Sequence, residues 1–270
     1  YWNDAKPGTC IDLDRYREMR KRFEKPLAHA AGRFGGDELS PDARGRLIEK
    51  IDVLNLSWDD FFEKVNNDLY HSLAGRLAVL QRAHALFRQY GAFKDVPSKD
   101  RKGIAGFRED GKIRWKWFGS MQGAGKFKKL INEDDASALS AALGEIPLNG
   151  PVTRDDYMEF VDRFVQAFPQ KNGKRTGHGL ATATRLLAMK RPDYFVCLDS
   201  RNRQRICEDF CIDIMNHDYA DYWDKIVERV KLAAWWNARH PNDPTQGSVW
   251  DGRAAMLDVI YYEDNSCALS

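Results

Sequence analysis

The stretch KRTGHGLATATRLLAMKRPDYFVCLDSRNR, Lys174 to Arg203, sets two glycines one residue apart and follows them with an apolar run at helical spacing. It ends on an aspartate among basic and amide side chains. Gly177 and Gly179 permit a tight turn whose backbone N–H groups point outward. The run LATATRLLAM then predicts a helix that opens at the turn, with Pro192 just past its end. A helix N-terminus preceded by unobstructed amides favours an anion, and the missing glycine side chains let a phosphate backbone come close. The plainer reading is that the glycines end one helix and start another. Asp199 falls where the next helical segment begins, a usual place for a capping carboxylate.

Working outward, the composition permits a folded domain of ordinary size. A chain of 270 residues with 43% hydrophobic and 12% aromatic residues can bury a full core in one large domain or two small ones. The formal charge of +2 is nearly neutral, so any affinity for nucleic acid has to come from the local distribution of basic residues. Five cysteines (10, 197, 207, 211 and 267) form no CxxC pair. That spacing predicts neither a disulfide framework, nor a structural metal site, nor an iron–sulfur centre, and it fits a reducing compartment. No apolar run approaches the roughly 18 residues that span a bilayer, and no signal-peptide pattern opens the chain. The expected setting is cytoplasmic (a bacterial nucleoid) or nuclear, not secreted, with no membrane partner. The chain begins at Tyr1, and a preceding segment is compatible with that.

The dominant period is helical. Ser40 and Pro41 predict a helix start, with Leu47, Ile51 and Leu54 on its apolar face. Residues 58–90 predict two further helices, the second ending at Gly91. Thr153 with Asp156 predicts a capping box, after which Tyr157, Phe160, Val161, Phe164 and Phe168 form a core stripe up to Pro169. Trp223, Ile226, Val227, Val230 and Ala234 repeat the pattern, and SVWDGRAAMLDVIYYE supplies a last helix. One region predicts strand: GIAGFREDGKIRWKWFG, with Asp110-Gly111 as a hairpin turn. The expected fold class is all-α with one small β-hairpin. Three regions are expected: a helical lobe over 1–98, a basic-aromatic insert over 99–130, and a helical region over 131–270.

The insert carries charge. Lys99 to Lys129 holds ten basic and three acidic residues, interleaved with Trp115, Trp117, Phe118 and Phe127. Its glycines do not make a nucleotide-binding loop, because Ser120 stands where the first glycine of such a loop is needed and Phe127 where a hydroxyl must reach magnesium. What remains is a flexible connection or a nucleic-acid contact loop in which basic groups meet phosphates and aromatic faces stack on bases.

The opening stretch resembles the helix-hairpin-helix base-excision DNA glycosylases, the superfamily of endonuclease III-like, adenine-removing and oxoguanine-removing enzymes. Its pattern is G-x-G-x-x-T-A, an apolar helix, a proline-containing turn, and an aspartate opening the next helix. Here these are Gly177, Gly179, Thr182, Ala183, TRLLAM, Pro192 and Asp199. Bifunctional members carry a lysine about 18 residues before the aspartate, at the position of Ala181. The match covers roughly 30 residues without gaps. It departs from the pattern at Arg175-Thr176, where an apolar residue and proline are usual, and it lacks the cysteine cluster of the iron–sulfur members.

The resemblance implies a two-lobed fold and a monofunctional glycosylase that flips a damaged or enzymatically modified base out of double-stranded DNA and leaves an abasic site, in repair or in anti-phage defence. Ala181 has no amine for a Schiff base, so no lyase step is implied. Asp199 is the implied catalytic residue: breaking a base–sugar bond builds positive charge on the sugar, which a fixed carboxylate stabilises while it directs water. The implied DNA contacts are Lys174, Arg175, Gly177, His178, Gly179, Thr182 and Arg185, with Arg201 and Arg203 beside the aspartate. Trp115, Trp117 or Phe118 is the candidate wedge or base-stacking wall. No cofactor or metal is implied, and a monomer is expected.

Plainer roles stand beside these. Asp199 is also a natural N-cap, His178 a natural solvent-facing turn residue, and Cys207, Cys211 and the Trp235-Trp236 pair natural packing residues. A non-catalytic helix-hairpin-helix DNA-binding module in a repair or defence complex is the alternative; it needs the glycines but no carboxylate at position 199.

Overall fold

A computed structural model describes residues 52–68, 72–107, 113–132, 136–200 and 202–261. The helix start expected at Ser40 and Pro41 lies outside these residues. Leu54 sits in a 3-10 turn, Val53–Asn55. The described residues form one compact unit, mainly helical with a small two-stranded antiparallel sheet. Among the described residues no helix is long and apolar enough to cross a membrane.

Local signals set the helix ends. In α1 (Trp58–Asn66), Ser57 and Asp60 form a reciprocal capping box. α2 (Leu73–Tyr90) stops at Gly91, whose φ of 69° is costly for a side-chain-bearing residue. Short α3 (Ser98–Ile104) and α4 (Gly125–Asn132) form the two ends of the basic insert, and α5 (Ser137–Gly144) packs against α6 (Arg154–Gln166). α6 carries the expected Thr153–Asp156 capping box, and its stripe from Tyr157 to Phe168 is buried.

The expected hairpin around Asp110-Gly111 is not what flanks that turn. Residues 108–112 lie outside the described ones; before them the chain is α3, and after them Trp115–Phe118 is a 3-10 turn. Indole packing overrides strand propensity here. A Cβ on Gly103 would sit 2.5 Å from the Trp115 ring, and one on Gly75 2.4 Å from that of Trp117, so both tryptophans lie against helix backbones. The hairpin forms elsewhere, between β1 (Gln170–Lys171) and β2 (Lys174–Arg175). Asn172 and Gly173 turn it with φ of 51° and 75°, the double positive φ of a type I′ turn.

α7 (Leu180–Lys190) is central: every residue but Ala181 is buried, as expected for a helix packed on all sides. α8 (Asn202–Phe210) follows Asp199 and packs against the last helix. α9 (Tyr219–Tyr222) runs through a π-turn, Trp223–Val227, into α10 (Glu228–Leu232). Because α10 stops at Leu232, Ala233 is buried and Ala234, expected in the core, is exposed. The single last helix is in fact two, α11 (Pro244–Asp251) and α12 (Arg253–Tyr261), divided at Gly252. Trp235 stacks on Phe61 with centroids 4.1 Å apart, and Trp236 packs edge-on against Tyr194.

Candidate active site

The two glycines of the opening motif are needed for different reasons. Gly177 has φ of 93°, and the Lys126 side chain lies over it, so a Cβ would come within 2.4 Å of Lys126 Cδ. Gly179 is extended, a conformation open to any residue, but its Cβ would strike the Asn216 amide at 2.4 Å. The Leu180 N–H donates to the Asn216 carbonyl at 2.9 Å. No acceptor among the described residues takes the N–H groups of Gly177, His178, Gly179 or Ala181. The turn therefore presents backbone donors at the start of α7, where the helix dipole favours an anion.

His178 is not a solvent-facing turn residue. It is half-buried, with Nδ1 3.0 Å from the Tyr219 hydroxyl and its ring edge-on to Phe168 and His217. Burial, and then His217, hold its pKa below the usual imidazole value. Lys174 and Arg175 are exposed on β2, and Arg175 Nη1 donates to the Phe168 carbonyl at 2.7 Å. Lys126 Nζ donates to the Thr176 hydroxyl, which brings the basic insert to the hairpin.

Asp199 is held close to α7 by an extended segment. The Thr184 hydroxyl donates to the Leu180 carbonyl at 2.8 Å and accepts from the Leu198 N–H at 3.0 Å. The buried Cys197 thiol donates to the Phe118 carbonyl at 3.3 Å, and burial pushes its pKa up. Asp199 and Asn202 cap each other: the Asn202 N–H donates to Asp199 Oδ1 at 3.0 Å, and the Asp199 N–H to Asn202 Oδ1 at 2.9 Å. Asp199 Oδ2 faces Gly119, whose φ of 89° and lack of Cβ let the chain pass close to the carboxylate.

Asp199 lines a cavity of about 500 Å³. Ala181 and Ser200 share its wall, and Lys116, Gly119, Ser120 and Met121 bring the insert to the other side. Positions 181 and 199, paired by sequence register alone, thus meet at one opening large enough for a small organic group.

Several expected contacts fall away. Arg185 is fully buried, its guanidinium donating to the carbonyls of Ile104 (2.8 Å), Trp115 (2.9 Å) and Gly103 (3.3 Å), so it holds the insert against α7 and reaches no surface phosphate. Burial lowers its pKa to about 10. Thr182 is buried too, its hydroxyl spent on the Gly179 carbonyl at 3.0 Å. Trp115 and Phe118 are core residues, which removes them as a wedge or stacking wall; Trp117 is half-buried against α2. Arg203 is half-buried on α8, Arg201 lies outside the described residues, and of the two free cysteines expected to pack, Cys207 is half-buried while Cys211 is exposed.

Lys116, Lys126, Asn202 and Asn216 complete the site and were not singled out by sequence. A signal existed for Asn202, three residues after Asp199 at capping-box spacing. None existed for Asn216, which arrives from a loop beyond α8. No protein-family model, curated protein or solved structure matches this chain. The class that fold and site define is therefore a mainly helical protein with a glycine turn and a carboxylate beside one cavity.

Proposed function

We propose that the protein is a monofunctional DNA glycosylase. The hairpin amides and the exposed Lys174, Arg175 and Lys126 hold the phosphate backbone of double-stranded DNA, and the flipped nucleotide enters the cavity with its sugar at Asp199. The carboxylate stabilises the positive charge that develops on the sugar as the base–sugar bond breaks, and orients the water that adds to the anomeric carbon. The base leaves with the bonding electron pair and takes up a proton, the adding water gives one up, and an abasic site remains. Ala181 carries no amine at the position where lyase members have one, so strand cleavage is no part of the reaction.

The observation that carries this reading is the meeting of positions 181 and 199 on one cavity beside the glycine turn. Purified protein is incubated with duplexes of varied base modification, and released bases are followed by mass spectrometry. The expected result is release from at least one duplex, lost in Asp199→Asn while DNA affinity is retained; a fully active Asn variant refutes the mechanism. The capping bond of Asp199 Oδ1 favours a second reading, a non-catalytic DNA-binding module. Tight binding with no base released from any duplex selects it.

A further inference from the structure

Behind Asp199 runs a buried polar chain that the helix cap does not require. Arg76 on α2 and Asp258 on α12 are each 1% exposed and form an ion pair through Arg76 Nη1 and Asp258 Oδ2. Arg76 Nε donates to the Ser72 hydroxyl at 3.0 Å, and that hydroxyl donates to Asp68. The other Asp258 oxygen accepts from Asn202 Nδ2, which also donates to the Cys197 carbonyl at 2.7 Å. With its NH2 group committed to two acceptors, Asn202 has one chemically sensible orientation, and its Oδ1 must point at the Asp199 N–H. The Arg76 guanidinium also lies 5.1 Å from the Phe118 ring centroid and 5.7 Å from that of Trp117, on the segment that brings Lys116 and Gly119 to the opposite wall.

Both walls of the cavity therefore converge on one cation. A buried ion pair contributes little net stability, and apolar side chains of similar volume often replace it at no cost. Stability alone gives no reason for a charged pair here, whereas a group that must fix another's direction does. We propose that Arg76, Asp258 and Asn202 are positioning residues, a buried chain that holds the Asp199 carboxylate toward the cavity and steadies, through the Trp117 and Phe118 rings, the segment that carries Lys116 and Gly119 on the facing wall. The catalytic meaning of that position rests on the glycosylase reading.

The test is the double variant Arg76→Met/Asp258→Leu, which replaces the pair with apolar groups. The variant is expected to fold with DNA affinity near wild type and a melting temperature lowered only by the partners Asn202 and Ser72 lose, while single-turnover base release falls by about a hundredfold, the cost of a misplacement near 1 Å. A 13C carboxyl resonance of Asp199, assigned by its loss in Asp199→Asn, is expected to move or broaden in the variant. Should the double variant not fold, Asn202→Ser carries the same measurements. Wild-type base release in the folded variant, or an unmoved resonance, overturns the proposal. If wild-type protein releases no base, the glycosylase reading fails by itself, and the resonance still decides whether the chain positions Asp199.

Discussion

Replacing Gly119 by alanine probes the site through two effects of one methyl group. Gly119 has φ of 89° and ψ of 154°, a region almost closed to residues with a Cβ, and occupying it costs about 1–3 kcal/mol. For a folded unit of this size that corresponds to a fall in melting temperature of about 2–4 °C per kcal/mol. The methyl carbon also arrives 3.0 Å from Asp199 Oδ2 and 3.6 Å from its Cβ, so the carboxylate must give way by a few tenths of an ångström. Asp199 cannot do so without loosening its reciprocal bonds to Asn202, of 3.0 and 2.9 Å. Catalysis that depends on an aimed carboxylate then falls by about tenfold to a hundredfold. The assay is single-turnover base release measured beside DNA affinity and thermal unfolding. Gly123→Ala serves as control, because its Cβ meets nothing within 4 Å and its φ is not in the restricted region. A Gly119→Ala protein with the expected loss of stability but full base release refutes the placement of Asp199 at the reacting centre.

Other expectations follow from the same geometry. Arg185→Met leaves the carbonyls of Ile104, Gly103 and Trp115 without their donor, and urea unfolding is expected to show a loss of about 3 kcal/mol or more; unchanged stability with weakened DNA binding would return Arg185 to the surface. Lys174→Gln and Lys126→Gln are each expected to flatten the dependence of log K on log salt by about 0.9, and an unaltered slope would show that the hairpin is no phosphate clamp. His84 and His178 are both held below the usual imidazole value by burial, so below about pH 6.5 the unfolded chain takes up protons that the folded protein resists. Stability is therefore complete above that pH and declines on acidification through the lowered pKa values. Thermal unfolding between pH 7 and 5 is expected to show the decline, and His178→Gln to reduce it; an identical slope in the variant would argue against a folded-state shift at His178.

Local chemistry was readable along the chain. The Thr153–Asp156 capping box, the stop at Gly91, the aromatic stripe of α6 and the helix opening after Gly179 each depend on residues within a turn or two of one another, and each is where the sequence places it. The Asn172-Gly173 turn carries an equally local signal, but it lacks the alternating runs that make the sequence around Asp110-Gly111 favour strand. Propensity at 113–118 lost to the packing of two indoles, Trp115 on Gly103 of α3 and Trp117 on Gly75 of α2, the second a partner from a distant element. The last helix divides at Gly252, where Leu80 packs so closely that a Cβ would meet its Cδ1 at 2.7 Å, again a contact from a distant element.

The same division runs through the candidate site. By itself the sequence determined the glycine turn, the helix it opens, the carboxylate that starts the next helix and the spacing between positions 181 and 199, since all of these are consequences of backbone preferences over short distances. Only the tertiary structure decided which charges are available. It buried Arg185 and the Trp115 and Phe118 rings, laid Lys126 over Gly177, and set Arg76 and Asp258 behind Asn202. A formal charge or an aromatic ring reads the same in the sequence wherever it falls; whether it meets solvent, a carbonyl or another ring depends on which helices pack against it.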